Sequence, residues 1–151
     1  MNRTELFKKL KIDKALRPYM VHYLDWLEEN VDKIIASEMT LVHEDGYAGT
    51  TDMHCVMKGG KEAVVDYKTQ NVRAKPVFYD KFCEQLVAYR ACFDKPDSMS
   101  CVSVVIDSND PAPCVQKVWD DKKVETAEAI FGASLKIWQS AKKYAPEKEG
   151  E

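Results

Sequence analysis

Long apolar runs are missing from this sequence of 151 residues. No stretch approaches the roughly 18 apolar residues that a transmembrane helix needs, so we expect no contact with a membrane. The first residues have neither the apolar segment of a secretory signal nor the composition of a transit peptide, which makes the cytoplasm the expected location. Low-complexity tracts and repeats of solenoid period are also absent, so a repeat architecture is excluded.

Paired cysteines are missing as well. The five cysteines are odd in number and irregular in spacing, and no two of them form a CxxC pair. This pattern favours reduced thiols over disulfides, and it predicts neither an iron-sulfur cluster nor a zinc site. The cysteines in question are Cys55, Cys83, Cys92, Cys101 and Cys114.

A strong net charge is the third absence, since the chain carries a formal charge of only -3. The charge is nevertheless uneven. Between Lys58 and Lys95 there are eight basic and five acidic residues, so this stretch is positive and the remainder is acidic. A positive region of this kind suits a surface that binds phosphate groups.

The composition is that of an ordinary globular protein, with 45% apolar and 31% charged residues. A chain of this length fits one hydrophobic core. We therefore expect a single domain over residues 1–151, with an N-terminal extension over 1–17 and a frayed tail over 146–151.

The hydrophobic periodicity predicts the order helix, three strands, helix, strand, helix. Such an order is typical of an α/β fold with a mixed central sheet flanked by helices. The expected elements are a short helix capped by Thr4, a helix from Pro18 to about Ala36, strands over 38–43, 47–57 and 62–69, a helix over 77–93, a strand over 101–106 and a helix over 121–143.

The second and third strands bring three charged side chains together. A hairpin closed by the three-residue loop 58–60 sets Asp52 opposite Asp66, and the period of two along a strand adds Lys68 to the same face. A two-residue Gly59-Gly60 turn would instead pair Asp52 with Tyr67 and separate the carboxylates, so the site requires the odd loop or a bulge.

Two carboxylates held this close repel each other. At a separation of about 5 Å and an effective dielectric near 20, the repulsion is roughly 3 kcal/mol. A shared proton or a divalent cation removes this cost, and hard carboxylate oxygens suit Mg²⁺ or Mn²⁺. The pattern therefore indicates a metal site beside a lysine, whereas an exposed strand with alternating charges is the alternative.

Three segments in this order resemble the PD-(D/E)XK nuclease superfamily, and within it the RecB-like and phage-type exonucleases. They are GYAGTTD at 46–52, VVDYKT at 64–69 and QLVAY at 85–89. The resemblance extends over roughly residues 25–144 and includes the last helix with Phe131 and Trp138. Its first motif departs from the family name, because Gly49 rather than a proline marks the segment before Asp52.

The resemblance implies a restriction-endonuclease-like core of order α-β-β-β-α-β plus a C-terminal helix. It implies metal-dependent hydrolysis of DNA phosphodiester bonds by an exonuclease of recombination, repair or phage type, with Mg²⁺ or Mn²⁺ as the cofactor. DNA is the expected partner. The sequence leaves open whether a second copy of the chain or a recombination protein also binds.

The resemblance also assigns roles to individual residues. Asp52, Asp66 and the backbone carbonyl of Tyr67 would bind the metal, and Lys68 would orient the attacking water. An upstream residue, Glu38 or His22, would add a ligand, although a surface role for Glu38 and a packing role for His22 are alternatives. The residues that would support the site are Gly49, Thr69, Gln85 and Tyr89.

Arg73 and Lys75 follow the third strand and are the candidates for phosphate contacts, with plain solvated loop charges as the alternative. Two other functions remain open from the sequence. A nucleic-acid-binding module could retain the nuclease fold without catalysis, and a small-molecule phosphohydrolase could use the same metal. The latter predicts a closed pocket rather than an open groove.

Overall fold

The structure is a computed structural model, and it describes residues 2–147. Within this range it forms an α/β fold with a five-stranded mixed sheet flanked by helices. The elements are α1 (Arg3–Lys9), α2 (Arg17–Asn30), β1 (Val31–His43), β2 (Tyr47–Met57), β3 (Glu62–Gln70), α3 (Asp80–Arg90), a 3₁₀ turn (Pro96–Ser98), β4 (Ser100–Asp107), β5 (Val115–Val118) and α4 (Asp121–Lys142).

The five strands lie in the sheet in their order along the chain. β1, β2 and β3 pair antiparallel, as do β4 and β5, whereas β3 and β4 pair parallel. A parallel connection needs a crossover, and α3 provides it between β3 and β4. The predicted mixed sheet is confirmed, and β5 is an addition that the sequence patterns did not indicate.

Each face of the sheet has its own core, because successive strand residues point to opposite faces. Val64 packs with Leu86 of α3 and Val124 of α4 on one face. Its neighbour Val65 packs with Trp26 of α2 on the other face. α2 and α3 therefore cover opposite faces, and this separation decides which side chains can share a site.

The boundary between the first long helix and the first strand was predicted wrongly. The helix ends at Asn30 rather than near Ala36, and β1 begins at Val31, which pairs with Met57. The β-branched side chains Ile34 and Ile35 favour a strand. Ile34 continued the helical spacing by coincidence, since its side chain is 47% exposed and does not belong to a core.

Two smaller boundaries also differ from expectation. Asn2 rather than Thr4 caps α1, since its side chain accepts a hydrogen bond from the amide of Glu5. α3 begins at Asp80 rather than 77, so the residues after Pro76 form a loop. An ion pair between Arg3 and Asp25 joins α1 to α2. Residues 148–151 of the predicted frayed tail lie outside the described range.

The hairpin between β2 and β3 has the register that the sequence predicted. Met53 pairs with Val65, and each step towards the loop keeps this register as far as Val56 and Glu62. The amide of Met57 donates to the carbonyl of Lys61 across the loop. Gly59 and Gly60 take φ values of +98° and +88°, a region that side chains disfavour. No helix in the described range is long and apolar enough to cross a membrane.

Candidate active site

The site forms where β2 and β3 stop pairing. Backbone pairing ends at Met53 and Val65, and side chains of β2 replace the next backbone partners. The amide of Tyr67 donates to Asp52 Oδ2 over 2.6 Å, and Thr51 Oγ1 donates to the carbonyl of Val65 over 3.4 Å. The strands thus separate around the Asp52 carboxylate, which lies next to that of Asp66 as the register predicts.

Asp66 is the most deeply buried acid of the site, with 4% of its surface exposed. Burial raises its pKa, and contact with the Asp52 carboxyl raises it further, whereas Lys68 acts in the opposite direction. Lys68 Nζ lies 2.5 Å from Asp66 Oδ2, but outside hydrogen-bonding geometry. This buried oxygen has no partner in hydrogen-bonding geometry, and it is in contact with the Lys68 ammonium, so a metal ion bound there would share the carboxylate with the lysine.

Lys68 joins the carboxylates to α3. Its Nζ donates to Gln85 Oε1 over 2.7 Å and lies 5.1 Å from the centre of the Phe82 ring. Gln85 Nε2 in turn donates to the Tyr89 hydroxyl over 2.7 Å. The ammonium is therefore held from two sides, and both ends of the Gln85 amide are fixed by hydrogen bonds.

Tyr89 leads back to β2 and closes the ring of contacts. A Cβ added at Gly49 would lie 2.6 Å from Tyr89 Cε1, closer than real Cβ contacts. A glycine within a strand can let the strand bend or a ligand approach closely. In the structure the absent side chain leaves room for the aromatic ring instead.

This contact predicts a measurable cost for Gly49→Ala. The added methyl must push the Tyr89 ring away and so disturb the hydrogen bond to Gln85. We expect a loss of about 1–3 kcal/mol in the free energy of unfolding, measured by urea denaturation. Tyr89→Ala removes the ring that would clash. This substitution should therefore lower the free energy of unfolding less in the Gly49→Ala protein than in wild type.

Gly132 provides the matched control, because it lies within α4 and a Cβ there meets no atom within 4 Å. Gly132→Ala should stabilise the protein by about 0.5–1 kcal/mol, since alanine favours a helix. Equal effects of the two alanines on stability would contradict the steric explanation for Gly49.

The donor atoms fit a hard divalent cation. Asp52 and Asp66 offer carboxylate oxygens, of which Asp66 Oδ2 is buried against the Lys68 ammonium. The amide and carbonyl of a strand residue point to the same strand edge, so the Tyr67 carbonyl is on the Asp52 side. Within residues 2–147 no third His, Cys, Asp or Glu completes a cluster with these two acids.

Three of the other predicted residues are placed differently. Glu38 lies opposite Asp52 in the β1–β2 register, is exposed, and has a φ of +52° that is unusual for a glutamate. His22 belongs to α2, on the face away from α3, and is not brought to the carboxylates. Thr69 alternates away from Lys68 along β3 and is exposed, so its side chain is not part of the contacts.

Arg73 and Lys75 are exposed in the loop that follows β3. They line an open cavity of about 540 Å³. Phe82 is a residue that the sequence reasoning did not assign to the site. Its position three residues before Gln85 was a usable signal, because side chains three apart share a helix face.

Comparison with known proteins adds little. Neither a family model nor a curated protein matches this chain. Among solved structures, it is similar to one titled "Crystal structure of SSO0001", with 15% sequence identity and a TM-score of 0.45. The match covers 91% of this chain and 70% of the other. A likeness of this size leaves the function to be argued from the site itself.

Proposed function

We propose that this protein is a metal-dependent nuclease that hydrolyses phosphodiester bonds of DNA, with a core of the PD-(D/E)XK type. One observation carries the proposal. Asp52, Asp66 and Lys68 meet at the gap between β2 and β3, and Gln85 of α3 hydrogen-bonds the lysine. Two buried or half-buried acids beside a fixed ammonium are the groups that phosphodiester hydrolysis with a divalent cation requires.

The arrangement of the strands supports this core. Three antiparallel strands followed by a helix and a parallel fourth strand correspond to the α-β-β-β-α-β order that the resemblance implied. The carboxylates lie on the middle strands β2 and β3, and the lysine is two residues beyond Asp66. Rigid strands, rather than loops, therefore hold the reacting groups, which favours a precise geometry.

Each side chain has a chemical task in this proposal. A divalent cation at Asp52 and Asp66 would polarise the scissile phosphate and acidify a water molecule. Lys68 holds a positive charge beside the reacting phosphate, where negative charge develops in the transition state. Gln85 fixes the direction of the ammonium, and Tyr89 fixes Gln85, so neither group has to be ordered during the reaction.

The surroundings favour a polymer over a small phosphate ester. A phosphohydrolase for small molecules would enclose its substrate in a closed pocket. Here the cavity next to the end of β3 is open, and Arg73 and Lys75 line it. Asp52, Asp66 and Lys68 do not line this cavity, so the cations lie beside the proposed site, where they suit a nucleic-acid backbone that extends past the reacting phosphate.

End-labelled linear DNA and closed circular DNA provide the direct test. The purified protein should shorten the linear DNA in Mg²⁺ or Mn²⁺, should do nothing in chelator, and as an exonuclease should spare the circle. Intact linear DNA at high enzyme concentration in both metals would contradict the proposal. Binding of DNA without cleavage would instead favour a non-catalytic module that retains the fold.

A further inference from the structure

An exposed aromatic ring lies beside the proposed active site. Tyr79 immediately precedes α3 and is 50% exposed. Its ring makes a T-shaped contact with the Phe82 ring, with centroids 5.4 Å apart, and Lys81 Nζ lies over the Tyr79 ring, 5.4 Å from its centroid. Phe82 thus supports the tyrosine from within, while a cation lies close to the ring.

The loop before Tyr79 is held by one glutamine. Gln70 Nε2 donates to the carbonyl of Val77 over 2.6 Å, and Gln70 Oε1 accepts from the amide of Val77 over 3.0 Å. This pair of bonds closes residues 71–76 into an arch. Arg73, Lys75 and Tyr79 line the open cavity of about 540 Å³ under it, so cations and ring are brought together by the fold.

The ring is close enough to the reacting groups to bind the same strand. Lys68 Nζ is 5.1 Å from the Phe82 centroid, and Phe82 is 5.4 Å from Tyr79. Stacked nucleotides advance by about 3.4 Å each along a strand. Tyr79 is therefore within about three nucleotides of the phosphate that Lys68 would face.

The charge around the ring is net positive. Asp80 is the acid next to Tyr79 in the sequence, but its carboxylate is bound by Lys123 of α4, with distances of 3.0 and 3.1 Å to its two oxygens. Arg73 and Lys75 line the cavity together with Tyr79, Lys81 Nζ lies over the Tyr79 ring, and the carboxylate of Asp107 accepts from the amide of Val72 in the same loop. A phosphate chain approaching Tyr79 meets attraction rather than repulsion.

We propose that Tyr79, Lys81 and the arch over residues 71–76 form a subsite for single-stranded DNA. An unpaired base stacks on the Tyr79 ring, and the flanking phosphates contact Lys81, Arg73 and Lys75. This inference rests on the proposed function for its choice of DNA and adds the strandedness of the substrate. Bases within a duplex are already stacked and offer no free face to the tyrosine, so the subsite selects unpaired ends.

Fluorescence anisotropy with a labelled single-stranded oligonucleotide, in chelator so that no cleavage occurs, tests the subsite. Tyr79→Ala should weaken binding by about 5- to 100-fold, as the loss of one base–aromatic stack does. Tyr79→Phe retains the ring and should bind like wild type. Trp138→Ala, which removes another exposed aromatic ring on α4, serves as the control and should have no effect.

Abasic DNA separates stacking from a general change in structure. An oligonucleotide that keeps its phosphates but lacks bases should bind wild type more weakly by a similar factor, and should bind Tyr79→Ala as the intact oligonucleotide does. Three results would each overturn the subsite. They are an equal loss of affinity by both proteins on the abasic strand, unchanged binding of the intact strand by Tyr79→Ala, and no binding of single strands by wild type.

The subsite and the nuclease proposal fail in different ways. A wild type that cleaves DNA in Mn²⁺, while Tyr79→Ala binds single strands as tightly, contradicts the subsite alone. A wild type that binds single strands through Tyr79 yet leaves linear DNA intact in Mn²⁺ supports the subsite and contradicts the nuclease. Melting temperatures of all variants exclude unfolding as the cause.

Discussion

Lys68→Ala is expected to lower DNA cleavage by at least about 100- to 1,000-fold, the loss that follows removal of one well-placed electrostatic donor. The ammonium contacts Asp66 and is directed by Gln85, so no neighbouring cation can take its position. Divalent-metal binding should persist in this variant, because both carboxylates remain. The metal should stabilise Lys68→Ala more than it stabilises wild type, since in the variant it supplies the positive charge beside Asp66 that the lysine no longer provides.

Initial rates on end-labelled linear DNA measure the first effect, and calorimetric titration with Mn²⁺ measures the second. Lys68→Met keeps the apolar stem against Phe82 and should lose activity equally, which separates charge from packing. Lys58→Ala removes an exposed lysine of the hairpin loop that pairs with Asp32, and this variant should cleave like wild type. Substantial cleavage by Lys68→Met would remove Lys68 from the mechanism.

Asp66→Asn should abolish binding of Mn²⁺ and all metal-dependent cleavage. Asparagine is close in shape to aspartate, but it removes the buried negative charge that the cation would neutralise. Wild type with Mn²⁺ at about 100 times its dissociation constant should gain about 2.7 kcal/mol in the free energy of unfolding. For a chain of this size that gain raises Tm by roughly 5–11 °C, and Asp66→Asn should show no such shift.

Thermal unfolding with Mn²⁺ and with chelator measures this effect. Asp97→Asn is the matched control, because its side chain is 99% exposed, and it should show the full shift of wild type. A metal-dependent shift that survives in Asp66→Asn would show that the cation binds elsewhere. The two variants together separate metal binding from catalysis. Lys68→Ala should lose turnover but keep the metal, and Asp66→Asn should lose both.

The hairpin between β2 and β3 could be predicted in detail. Its geometry is local: two consecutive glycines permit positive φ, a three-residue loop sets the offset, and the period of two places Asp66 and Lys68 on one face. The spacing of Gln85 and Tyr89 was equally readable, since residues four apart on a helix are neighbours. These predictions concern short stretches in which backbone geometry leaves few alternatives.

The end of α2 could not be read in the same way. Apolar residues continue at helical spacing through Val31 and Ile34, but the backbone leaves the helix at Asn30 to pair with β2. Pairing with a strand some twenty residues later is a long-range interaction that helical periodicity does not report. The strand expected to begin at Glu38 therefore begins at Val31, and Glu38 lies within it opposite Asp52, in an unusual backbone conformation.

The amino-acid pattern alone thus established the two acids, the lysine and their common face, because strand alternation and turn geometry are local properties. The packing of whole elements decided the rest. α3 lies over β3 and brings Gln85 to Lys68, burial raises the pKa of Asp66, and Tyr89 fits against Gly49. α2 covers the opposite face and so keeps His22 away from the carboxylates. A helix can cover only one side of a sheet, and the side is selected by hydrophobic burial between distant elements, which a short sequence pattern does not reveal.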